Sequence, residues 1–112
     1  MQKNLHLSHD NYFFDIFIRN CNQFTSQENK FVVYIEKDAQ TKHVKSNQAI
    51  IAEWGSQNFQ NAVGDLEKYK AVYIHFLTPK LVNFVLKLPH SVTLVMVFWG
   101  SEVFSLKVFF KF

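Results

Sequence analysis

Five short, β-rich apolar runs, set apart by stretches with helical spacing, constrain this chain more than anything else in it. They are Leu5–Ser8, Phe31–Ile35, Ala49–Glu53, Ala71–Leu77 and Val92–Phe98. Phe31-Val32-Val33-Tyr34-Ile35 has no polar interruption, and a strand apolar on both faces suits the middle of a parallel sheet covered on both sides. Between the runs, Phe13, Ile16, Phe17, Cys21 and Phe24 recur at spacings of three and four, which is one face of a helix. Phe59, Ala62, Val63, Leu66 and Tyr69 trace a second helical face that runs through Gly64, and Leu81, Val82, Val85, Leu86 and Leu88 form the buried side of a third. Asp10 or Asn11 supplies cap chemistry for the first helix. Thr78 caps the third, Pro79 sits where its missing N–H costs nothing, and Pro89 marks the exit. Glu36 to Gln48 is polar and reads as a loop, the least ordered stretch.

The alternation predicts an α/β fold: a Rossmann-like three-layer sandwich with a parallel sheet of about five strands. In the doubly wound order 3-2-1-4-5, with Ala49–Glu53 at one edge, the first and fourth strands are neighbours. Ligands bind such sheets in the crevice at the carboxyl ends of those strands. A chain of 112 residues holds one such domain, spanning 1–112. Apolar residues at 48% and charged ones at 19% place it among globular chains. The thirteen phenylalanines are a heavy load for this size and suggest apolar surface that the chain does not cover.

Several classes are disfavoured. The net charge of +3 comes from scattered lysines and makes no nucleic-acid stripe. One cysteine, Cys21, allows no internal disulfide or cysteine metal cage, and the N-terminus lacks a signal-peptide pattern, so a cytoplasmic setting is expected. No run of 18 apolar residues spans a bilayer. The three glycines, Gly55, Gly64 and Gly100, form no phosphate loop. His6, His43 and His90 lack metal-ligand spacing, and no cofactor is expected. Cys21, on an apolar helix face, reads as a structural thiol.

Candidate chemistry gathers at strand ends: Ser8, His9 and Asp10 after the first run, His75 and Thr78 after the fourth, Trp99, Gly100, Ser101 and Glu102 after the fifth. His9-Asp10 has the form of a base with its orienting carboxylate, although a helix cap explains Asp10 as well. His75 lies inside an apolar run, where a satisfied core histidine competes with a cleft role. Trp99 offers a flat face for a sugar, Gly100 a close backbone approach and Glu102 an acceptor or base. Glu102 is the candidate catalytic base, with His75 and Trp99 expected to share its cleft. A plain turn with Trp99 packed on the rim is the bland counterpart. The tail Val103 to Phe112 alternates like a strand and also suits an apolar helix.

The stretches Tyr73-Ile74-His75-Phe76-Leu77-Thr78-Pro79-Lys80-Leu81 and Val95-Met96-Val97-Phe98-Trp99-Gly100-Ser101-Glu102-Val103-Phe104 resemble the bacterial 4-acetamido-4,6-dideoxygalactosyltransferase family. Members carry an aromatic strand ending in His, a Pro-started helix, and an apolar strand ending in Trp-Gly-x-Asp before Leu-Tyr. Here Glu102 stands for the Asp, Val103-Phe104 for Leu-Tyr, and Phe76 for the Gly that commonly follows the His. The resemblance implies the N-terminal, acceptor-side domain of a GT-B glycosyltransferase working on lipid-linked intermediates of enterobacterial common antigen and related glycans. The acceptor would be a lipid-linked glycan, and the nucleotide-sugar donor would be held by a C-terminal domain absent from this chain. It also implies peripheral contact with the inner membrane through 103–112, where Phe104, Lys107, Phe109, Phe110 and Lys111 fit a basic, apolar helix. Such a half is not expected to transfer sugar alone. Two other readings stand beside it: a stand-alone flavodoxin-like or response-regulator-like binding domain, and a truncated reading frame without a function of its own. A response regulator needs an acidic cluster after the first strand and an Asp ending the third, and only Asp10 and Glu53 come near.

Overall fold

The computed structural model describes residues 3–24 and 28–97. Five parallel strands, β1 (Lys3–His9), β2 (Glu28–Ile35), β3 (Ala49–Glu53), β4 (Tyr69–His75) and β5 (Thr93–Val97), form one sheet in the order β3-β2-β1-β4-β5. This is the expected 3-2-1-4-5 arrangement, with β3 at the edge. A flavodoxin sheet, by contrast, places its third strand beside the first. Helices α1 (Tyr12–Phe24), α2 (Gln57–Val63) and α3 (Pro79–Leu86) complete the α/β fold. None of the described helices is long and apolar enough to cross a membrane.

Two clusters of side chains fill the two faces. Leu5, Leu7, Val32, Tyr34, Val72 and Ile74 pack with α2 and α3 on one side. Phe31 and Val33 pack with Phe14 and Ile18 of α1 on the other. Strand side chains alternate between faces, so β1 sends Leu5 and Leu7 to the first face and Asn4, His6 and Ser8 to the second. All five are buried.

Local chemistry sets the helix ends, with departures from expectation at Gly64 and Leu86. Asn11, not Asp10, closes the start of α1: its side-chain carbonyl accepts from the Phe13 N–H at 3.0 Å, and its amide donates to Ser8 Oγ at 2.7 Å. The second helical face stops at Val63, because Gly64 has φ 71°, a backbone that leaves the helix and that L side chains rarely adopt. Leu66 then lies in a single 3-10 turn, Leu66–Lys68, and Tyr69 opens β4 with its hydroxyl donating to the Val63 carbonyl. Ser56 begins α2, accepting from the Phe59 N–H at 3.1 Å. On α3, Leu81 is buried and Val82 and Val85 pack partly, as does Leu88 just past its end, but Leu86 is 75% exposed. The helix is only two turns long, and Leu86 has turned past the side that meets the sheet.

The 36–48 connection stands where a crossover helix would run between β2 and β3. It is held rather than loose. Asp10 accepts backbone N–H groups of Lys42, His43 and Val44 at 2.6 to 3.3 Å, and Asp15 those of Lys45 and Ser46 at 2.8 and 3.1 Å. Val44 plugs into the α1-side cluster.

Candidate functional site at the β1–β4 switch point

A cleft of about 490 Å³ opens at the carboxyl ends of β1, β2 and β4, lined by His9, Asp10, Tyr34, Glu36, Thr78, Pro79 and Lys80. Its size lies within the range of small-ligand sites, about 300–1,000 Å³. Its position follows from topology: β1 runs toward β2 and β3 in one direction, β4 toward β5 in the other, and the connections part at this rim.

Tyr34 lies one residue before the end of β2, and its hydroxyl meets Thr78 Oγ1 at 2.7 Å. Thr78 therefore occupies the N-cap position of α3 without capping it through its side chain, contrary to expectation. The Tyr34 phenol competes for that hydroxyl. Burial pushes the Tyr34 pKa up, the Glu36 charge adds to that, and the Thr78 hydrogen bond opposes it. The phenol stays protonated and can donate or accept with a ligand hydroxyl. Lys80, in the first turn of α3, pairs with Glu36 just past β2. Both groups are solvated enough that the pair is easily exchanged for contacts with a ligand.

Phe76 follows β4 next to this rim. It has φ 63°, an uncommon conformation for a bulky residue, and donates its N–H to Val97 O at 3.2 Å. The tight turn after His75 is thus made by phenylalanine where the resembled family commonly has glycine. Its ring packs against His9 with centroids 4.7 Å apart. Backbone strain of this kind concentrates at functional sites.

Of the residues expected at the site, His9, Asp10 and Thr78 do line one cleft. Asp10 is not the orienting partner of His9, because its carboxylate is occupied by the 42–44 backbone. Burial pushes the Asp10 pKa up, but those hydrogen bonds and the His43 charge outweigh it and hold the carboxyl below its usual value of 3.8. His75 does not line the cleft: it is 0% exposed and buried beneath α1, with Phe17 and Phe14 against its ring. Alternation along β4 aims it at that face, where it is buried in the core with its Nδ1 lacking a hydrogen-bond partner among the described residues. Trp99, Gly100, Ser101 and Glu102, and the tail 103–112, lie outside the described residues. Cys21 is half-buried, with Sγ 3.9 Å from His6 Nε2 and its pKa raised by burial, which suits a structural thiol.

Tyr34, Glu36 and Lys80 were missed from sequence. The available signal was positional, since the carboxyl end of the second strand shares the rim with those of the first and fourth. Among the described residues no group of three or more His, Cys, Asp or Glu is placed to hold a metal ion. Compared with protein-family models, curated proteins and solved structures, the chain matches none.

Proposed function

We propose that this chain is the acceptor-side, Rossmann-like half of a GT-B glycosyltransferase, and that the β1–β4 cleft receives a sugar of a lipid-linked glycan. The observation that carries the reading is the cleft itself. Tyr34 and Thr78 supply a coupled pair of hydroxyls, and Glu36 and Lys80 supply an acceptor and a donor between the same two elements. Hydroxyl groups and solvated charges suit a polyhydroxylated ligand, which needs many moderate hydrogen bonds in fixed directions. The strand order and the two motifs of the family resemblance support the same reading. Donor binding and transfer belong to a second domain, with Glu102 as the proposed base and Trp99 as a stacking face. Peripheral membrane contact through 103–112 belongs to the same proposal.

The test is a heteronuclear NMR titration of the chain with a soluble short-prenyl pyrophosphoryl N-acetylhexosamine disaccharide. Expected are saturable shifts at Glu36, Thr78 and Lys80, abolished in Thr78→Val. Shifts driven instead by a nucleotide-sugar at the same residues overturn the acceptor assignment. No response to either ligand at millimolar concentration overturns the site.

A further inference from the structure

The α1 face of the sheet holds a feature that the cleft does not use. His6 on β1 and His75 on β4 are 1% and 0% exposed, and His6 Nδ1 lies 3.2 Å from His75 Nε2. His6 Nε2 lies 2.9 Å from Asn29 Oδ1. The chain of contacts assigns the protons. The Asn29 carbonyl oxygen accepts, so His6 Nε2 carries hydrogen. A neutral His6 then has a bare Nδ1, which accepts from His75 Nε2–H. That leaves His75 Nδ1 as a buried lone pair with no hydrogen-bond partner among the described residues.

The surroundings are aromatic. His6 stacks between Phe31 and Tyr73, with centroids 4.9 and 4.5 Å away. Phe17 and Phe14 of α1 close over His75 at 4.3 and 5.2 Å. The Cys21 thiol of α1 approaches His6, Asn29 comes from β2, and Asn4 and Ser8 of β1 share the face. None of these is a carboxylate or a cation. Of the charged residues on α1, Asp15 is tied to the N–H groups of Lys45 and Ser46, and Arg19 is exposed.

A further proton has two destinations. On His6 Nδ1 it sets N–H against N–H unless His75 moves its hydrogen to Nδ1, and in either case the pair carries a buried positive charge. On His75 Nδ1 it creates an imidazolium under two phenylalanines with no counter-charge among the described residues, and burying an unpaired charge is costly. Among the described residues, Phe14 and Phe17 of α1 lie over His75 and Phe17 also meets His6, so lifting α1 opens both rings to water.

We propose that the His6–His75 pair is a proton-operated latch: neutral, it seats α1 on the sheet, and acidification releases α1 while the α2/α3 side stays packed. Burial pushes His6 down to about 4, against the Asn29 hydrogen bond, and burial and then the charge of His6 push His75 down to about 3. Both folded values lie below the ordinary 6.5, so the opened chain binds more protons than the closed one. The seating is at full strength above pH 6.5 and weakens as pH falls from there toward 4. Each histidine freed on opening multiplies the opening constant by about 25 between pH 7 and pH 5, so two give about 10²–10³-fold.

Two measurements on the 112-residue chain test this. Imidazole ¹⁵N shifts are expected to report both rings as neutral Nε2–H tautomers at pH 7. Hydrogen exchange, corrected for intrinsic rates, is expected to show the 12–24 amides losing about 10²–10³-fold protection at pH 5 while β4 and α2 keep theirs. The double variant His6→Phe/His75→Phe should reduce that loss to less than about threefold. Titration of either ring near 6.5 without loss of α1 protection overturns the latch. So does loss of protection by all elements together, or an undiminished loss in the double variant. If the variant does not fold, the wild-type shifts and exchange decide.

Discussion

The two faces of the same sheet are built on opposite principles. Beneath α2 and α3, β1 and β4 present Leu5, Leu7, Val72 and Ile74, all fully buried and with no polar atom to satisfy. Beneath α1 the same two strands present Asn4, His6, Ser8 and His75, also buried. One face gains from removing apolar area from water, at about 25 cal/mol per Å². The other must satisfy its buried polar groups with one another, and its stability depends on which of them carry protons. An apolar face tolerates wide changes of pH, whereas a polar one responds to them, and α1 rests on the responsive side.

The comparison breaks most readily on the apolar side. Ile74→Ala removes a fully buried side chain from the contact with α2 and α3 and is expected to cost about 2–5 kcal/mol in urea unfolding. A cost below about 1 kcal/mol would mean that this face is not the rigid half. On the α1 side the corresponding strength lies in polar anchoring of the 36–48 loop. Asp10→Ala strips the acceptor from three backbone N–H groups and is expected to cost about 1–2 kcal/mol, with faster exchange at residues 42–44. Because the folded Asp10 pKa lies below 3.8, its contribution is present above that pH and is lost as pH falls below it. Asp10 anchoring and the histidine pair therefore fail in different pH windows, and Asp10→Ala should leave the pH 7 to 5 response of α1 intact. The smallest effect is expected at the rim. Lys80→Ala breaks an exposed ion pair and should change stability by less than about 1 kcal/mol, less still at high salt. A larger loss would mean that the Glu36–Lys80 pair holds the fold rather than lining a site.

Much of the architecture was legible in the order of residues. Val32, Val33 and Ile35 are β-branched and flanked by apolar neighbours, and a strand of that kind has to be covered on both sides. Pro79 and Asn11 mark helix starts through backbone chemistry that acts within a few residues. The sheet order followed because parallel strands joined by crossovers have few permitted arrangements. The Gly64 break was misread because a glycine inside a periodic pattern leaves the period intact, and only the backbone dihedral reveals the exit. Leu86 was misread for a related reason: five residues beyond Leu81 it stands about 140° round the helix, off the face that meets the sheet.

Local order along the chain by itself determined the strands, the helix starts and the rim on which His9, Asp10 and Thr78 meet. The tertiary structure decided what those side chains do there. It gave Asp10 to the backbone of residues 42–44, Thr78 to Tyr34, and His75 to His6 across 69 positions of sequence. The physical reason is range. Dihedral preference and hydrophobic period act over a few residues, whereas a hydrogen bond between side chains depends on which strands become neighbours and on the face to which the pleat turns each residue.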